Sequence, residues 1–199
     1  ITDQAVFDSW LSRLEAAPLF AFDTETTSLN YMQAEIVGLS FAIEPGEAAY
    51  VPLAHLNPGL EGQLDRYEIL DQMKPLLESD AVKKVGQHLK YDANVLANHG
   101  ITLRGIAHDT MLQSYIIDAV GSRHDMGSLA LKYLGQRVIS FGEVAGKGAK
   151  QVTFDQVDNE QAAAYAAEDA DVTLRLNETL MPKLEAEASL NEVYQRLEL

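Results

Sequence analysis

The chain has 199 residues, 47% of them hydrophobic, enough to bury one sizeable core but cramped for two. Lys plus Arg number 15 against 30 Asp plus Glu, a net charge of −15 that argues against extensive non-specific attraction to duplex phosphates. Cysteine is absent, which excludes a thiolate zinc site. The chain begins with Ile, has no signal-type apolar region and has no apolar run near the ~18 residues of a membrane span. The expectation is a cytoplasmic fragment with no membrane contact.

Residues 3 to 16 carry Val6, Trp10, Leu11 and Leu14 at helical spacing behind Asp3, a plausible N-cap. Leu19 to Asp23 is an apolar run ending in acid and reads as a strand. Residues 35 to 43 and 48 to 53, divided by Glu44-Pro45-Gly46, read as a hairpin, giving three consecutive antiparallel strands. HLNPGLEG is a loop, 64 to 78 a helix, and VKKVG a short strand leading into a helix that carries Asp92. Another short strand is expected at 105 to 108. Helices follow near 110 to 119 and 126 to 134, with Asp109 as a helix N-cap. A Gly- and Lys-rich loop then leads to a long helix from about 158 to 180, and Leu184 to Leu199 is an amphipathic helical segment. An antiparallel meander followed by alternating helices and strands defines an α/β fold with helices covering a mixed sheet.

Four carboxylates in three segments carry the chemistry: Asp23 and Glu25, Asp92, and Asp169. Residues two apart on a strand share a face, so Asp23 and Glu25 project together. Tyr165 and Asp169 lie four apart in a helical run, which stacks phenol over carboxylate; His88 and Asp92 share that spacing. Glu168 and Asp171 should face elsewhere. Acids crowded in a partly dry site need cations to stay ionised together, and oxygen-only ligation favours two divalent ions, Mg2+ or Mn2+. Zinc on carboxylates, at one position, stays open. Gly146-Lys147-Gly148 lacks P-loop spacing and reads as a flexible loop.

The order Asp-x-Glu, GQxxKYD and Tyr-x-x-x-Asp resembles the DnaQ-like, or DEDD, 3′ to 5′ exonucleases of the tyrosine subtype. More closely, FAFDTETTSL, VGLSFAIEPG, KVGQHLKYD, LRGIAHDTM, FGEVAGKG and YAAEDADVTL are similar, nearly end to end, to the proofreading domains of bacterial DNA polymerase I. The resemblance implies a ribonuclease H-like fold over residues 1 to 185. Residues 186 to 199 would lead into a C-terminal polymerase domain. It also implies that Asp23 bridges two metals, with Glu25 and Asp169 completing the nucleophile-side site and Asp92 holding the second. Tyr165 and Glu25 would orient the attacking water. By the same resemblance Leu29 wedges between the last two bases and Phe141 packs against one of them. Arg123 and Gln87 match positions expected to contact phosphate or sugar, and Thr26 could offer its backbone amide. His88 departs from the family, which carries Asn there.

The implied substrate is a single-stranded or frayed DNA 3′ end, released as deoxynucleoside 5′-monophosphates. An RNase D-like nuclease acting on RNA 3′ ends and a catalytically silent domain that scaffolds a polymerase or binds single strands are the alternatives.

Overall fold

The computed structural model describes all residues except Pro58, Leu60, Glu61, Ser122 and Leu199; the expected HLNPGLEG loop and the end of the C-terminal segment thus lie partly outside the described residues. Five strands form one sheet in the order β3-β2-β1-β4-β5. β1 (Leu19–Thr26), β2 (Ile36–Glu44) and β3 (Glu47–Pro52) are the antiparallel meander, while β4 (Lys83–Gly86) and β5 (Ile106–Asp109) join parallel to β1 and to each other. Eight α-helices are described: α1 (Gln4–Ala16), α2 (Arg66–Leu77), α3 (Leu89–Asn98), α4 (Thr110–Ile117), α5 (Met126–Leu129), α6 (Phe141–Val144), α7 (Asn159–Glu185) and α8 (Ala188–Val193).

The two faces of the sheet are built differently because side chains alternate along each strand. Phe20, Phe22, Leu39 and Phe41 pack with Phe7 and Leu14 of α1, Ile69 and Met73 of α2, and Val95 and Leu96 of α3. On the opposite face Ala21, Ala42 and Val85 meet Ala170 and Leu174 of α7. Small residues there let α7 approach the strands closely. Asp23 and Glu25 have the parity of Ala21, so they face α7, whereas Thr24 has the parity of Phe22 and faces α3.

Several expectations need correction. In α1 Leu14 is buried and Leu11 packs against the core as expected, but Phe7 and not Val6 completes the core-facing stripe, and Val6 is exposed. The helix over 126 to 134 is a single α-turn followed by a π-turn at Ala130–Leu134. The Gly- and Lys-rich loop contains α6, started by a capping box between Ser140 and Glu143, and a 3-10 turn at Gly148–Lys150. α7 runs beyond residue 180, tolerating Pro182 in its last turn. Leu184 belongs to α7 and is buried, so the amphipathic segment is a separate short helix, α8, running into a π-turn at Tyr194–Glu198. Among the described residues no helix is long and apolar enough to cross a membrane.

Candidate active site

Asp23 and Glu25 project from the end of β1 towards α7, where Tyr165 and Asp169 lie one turn apart. The i,i+4 spacing sets the Tyr165 phenol beside the Asp169 carboxyl, which it favours in its ionised form. Asp92 arrives from the other side of the sheet. It is buried in the first turn of α3, and its Oδ1 accepts hydrogen bonds from Thr24 N at 3.0 Å and Thr24 Oγ1 at 2.6 Å. Burial and this pairing replace the ordinary solvated helix acid that a lone Asp would be.

The electrostatics are those of anions held together without a compensating base. Burial pushes Asp23 up to about 8, with Asp169 adding to the effect. Burial pushes Asp169 up to about 7, opposed by the Tyr165 hydrogen bond. Glu25 is held well above the usual range by burial and then by Asp23, Asp169 and Asp92; Asp92 by burial and then by Asp23. Tyr165 is pushed up by burial and by the same acids, so its phenol stays protonated. Such a donor set suits hard divalent cations, which favour anionic oxygen ligands. Among the described residues no group of three or more His, Asp or Glu side chains is arranged to hold a metal ion. Asp92 is turned to Thr24 and Asp169 to Tyr165, so the acids share a field without converging on one point.

Asp23, Glu25, Asp92 and Tyr165 line a cleft of about 730 Å3, while Asp169 is not in its lining and instead lines a second cavity with Tyr165 and Phe141. Thr26, Leu29, Gln87, His88 and Phe141 also line the cleft. Leu29 is 94% exposed, which rules out core packing. Phe141 is half-buried and stacks on Phe154 with ring centroids 6.3 Å apart, edge-on to Tyr165. Thr26 Oγ1 hydrogen-bonds Tyr91. Gln87 uses its amide internally, donating to His124 O at 2.7 Å and accepting from Thr110 Oγ1. Arg123 is not brought into the cleft lining: its exposed side chain lies 3.5 Å from Asp125. No Lys or Arg is among the cleft-lining residues.

His88 is not one helical turn before Asp92, as its spacing suggested. It is the residue before α3, with φ 65°, and among the described residues it is the sole non-glycine with positive φ. Glu168 and Asp171 do face elsewhere, accepting from Ile139 N at 2.6 Å and Gly46 N at 2.6 Å. Asp109 caps α4. Thr24, Tyr91 and Phe154 were missed as site residues. Tyr91 stood in plain view within the KYD motif, and Thr24 between the two strand acids; Phe154 had no local signal.

The mixed five-stranded sheet flanked by helices, with its acids at the end of the central strand and on α3 and α7, is an α/β fold of the ribonuclease H-like 3′–5′ exonuclease class. The Escherichia coli RNase D structure, an exoribonuclease involved in structured RNA processing, superposes with a TM-score of 0.67 at 19% identity, covering 98% of this chain and 48% of that one. Brucella melitensis NrnC with bound Mg2+ gives a TM-score of 0.65 at 18% identity, covering 90% of this chain and 81% of that one. The chain belongs to the 3′–5′ exonuclease family found in DNA polymerase I, whose model matches residues 1–185. It is 60% identical over 201 residues to DNA polymerase I of Pseudomonas aeruginosa, covering 100% of this chain and 22% of that protein. The chain therefore spans about a fifth of the length of such curated relatives.

Proposed function

We propose that this chain hydrolyses the terminal phosphodiester of a single-stranded or frayed DNA 3′ end, releasing deoxynucleoside 5′-monophosphates with the help of two divalent cations, Mg2+ or Mn2+. It would proofread for a polymerase domain in the same parent chain, with residues 1 to 185 as the nuclease and 186 to 199 as the lead-in. The observation that carries this reading is that Asp23, Glu25, Asp92 and Tyr165 line one open cleft, with Asp169, one turn from Tyr165 on α7, adding its charge to theirs.

When bound, the cations supply the Lewis acidity that activates water for attack and stabilises the departing 3′ oxygen. Asp23, Glu25 and Asp169 would hold the ion that activates water, and Asp23 with Asp92 the ion that stabilises the leaving oxygen. Tyr165, held protonated, directs the attacking water by hydrogen bonding rather than as a phenolate. Leu29 and Phe141 offer apolar surfaces on which unpaired bases pack without sequence readout. Thr26 would offer its backbone amide to the terminal nucleotide. With no lysine or arginine in the cleft lining, its charge balance would come from the ions. Preference for mispaired ends then follows from the lower cost of unpairing them.

The test is stepwise shortening of a 5′-labelled single-stranded DNA, with release of unlabelled mononucleotides, by the chain with Mg2+ or Mn2+, beside Asp23→Ala. Activity in the wild type alone supports the reading. Equal activity in both proteins would mean contamination, and none in either would leave a silent scaffold. Since the fold is shared with RNase D, an RNA of the same sequence is run in parallel, and faster RNA hydrolysis would favour that alternative.

A further inference from the structure

His88 lines the cleft in a left-handed conformation that costs a non-glycine side chain free energy, and such strain persists only where surrounding bonds impose it. The bonds come from one residue. Asp109, 4% exposed at the end of β5, accepts from His88 N at 3.1 Å through Oδ1 and from Leu89 N at 2.8 Å through Oδ2. Its Oδ1 also accepts from Met111 N at 2.9 Å and Leu112 N at 3.2 Å, the ordinary cap of α4. A single carboxylate thus ties the starts of two helices together. α3 is the helix that carries Asp92, and Gly86 just before it leaves room for Leu89, whose Cδ2 would lie 2.3 Å from an added Cβ. Asp109 is itself held from behind: its N–H donates to Tyr194 Oη at 3.0 Å, and Tyr194 is fully buried in the C-terminal segment.

We infer that Asp109 is a positioning residue for the nuclease site: by bonding His88 and Leu89 it holds the turn that aims His88 into the cleft and sets the start of the helix bearing Asp92. Capping α4 is a separable task, because a shorter side chain performs it locally while failing to span to α3. The inference rests on the exonuclease reading above.

Asp109→Ser keeps a cap-forming hydroxyl for α4 and gives up the bonds to α3. On single-stranded DNA at saturating Mg2+, kcat should fall about tenfold or more, as expected when a site shifts by a fraction of an ångström, and the Mg2+ concentration for half-activity should rise. Asp65→Ser, the same exchange at the cap of α2, away from the cleft, should leave kcat unchanged. His88→Asn in the Asp109→Ser background should recover several-fold in activity, because Asn adopts the left-handed conformation more readily. Amide exchange at His88 and Leu89 supplies a readout independent of catalysis and should accelerate in Asp109→Ser.

A kcat within twofold of wild type in Asp109→Ser, or amides at His88 and Leu89 that stay protected, would overturn the inference. So would His88→Asn having equal effects in both backgrounds. An inactive wild type would instead remove the exonuclease reading, and the exchange measurement would still decide the role of Asp109.

Discussion

Thr24 gives both of its hydrogen-bonding protons to one oxygen of Asp92, so a residue pointing away from α7 is what brings the α3 acid to the strand acids facing α7. The alternation of β1 therefore serves the site twice. Asp23 and Glu25 use one face of the strand, and the residue between them holds Asp92 from the other.

Thr24→Val keeps the shape and the backbone bond but removes the 2.6 Å hydroxyl bond. Stability should fall by about 1.5 kcal/mol, the usual worth of a buried bond to an ionisable acceptor. Exonuclease kcat should fall about tenfold as Asp92 loses its fixed rotamer. Urea unfolding and single-turnover kinetics measure the two separately, and an unchanged kcat would show that Asp92 needs no such support.

Tyr165→Phe removes the hydroxyl while leaving the ring against Phe141 and Phe154. Turnover should drop by about 100-fold with the KM for single-stranded DNA little changed, the pattern of a lost water-orienting group. A rise in KM alone would make the tyrosine a binding residue.

The raised acids fix the sign of a pH effect. A carboxyl with an unfolded pKa of about 3.9 and a higher folded value binds its proton more tightly when folded. Its contribution is complete below about pH 4 and is lost as the pH rises through the folded values, about 8 for Asp23 and about 7 for Asp169. Buried His55 and half-buried His99 and His108 have lowered values and act oppositely, favouring the fold at higher pH. Comparison with Asp23→Asn isolates the carboxyl. Without divalent ions, the variant should gain Tm over wild type at pH 8 and little at pH 4; adding Mg2+ should raise the wild-type Tm most at pH 8. A Tm difference independent of pH would contradict the shared field.

Leu29→Ala alters a side chain that is 94% exposed, so its stability should change by less than about 0.5 kcal/mol. Hydrolysis of a paired 3′ end should nonetheless slow more than that of a single strand, because a wedge helps only where bases must be parted. Equal slowing on both substrates would make Leu29 a general contact.

The absence of Lys and Arg from the cleft lining predicts a shallow salt response. Between about 50 and 200 mM salt, KM for single-stranded DNA should change by about threefold or less, the dependence of roughly one cationic phosphate contact. A steep slope would point to binding outside the cleft, with Arg123 an obvious place to look.

The strands, the main caps and the identity of the acids were legible in local sequence, whereas the break of 126 to 134 into an α-turn and a π-turn and the short helix α6 were not. Apolar runs, turn residues and caps act over a few neighbours, so β1 to β5, the cap at Asp109 and the outward turn of Glu168 and Asp171 were readable before any tertiary contact. Local spacing failed where distant groups decide conformation. His88 is four residues before Asp92 in both descriptions, yet Asp109, 21 residues away, pulls it out of the helix and into the left-handed region. Arg123 matched a motif position but lies outside the cleft lining, and Val6 fitted a helical stripe in which the core takes Phe7 instead. How the acids on β1, α3 and α7 share one field is written in no local stretch, because it depends on which sheet face each helix covers and on Thr24 reaching through to Asp92.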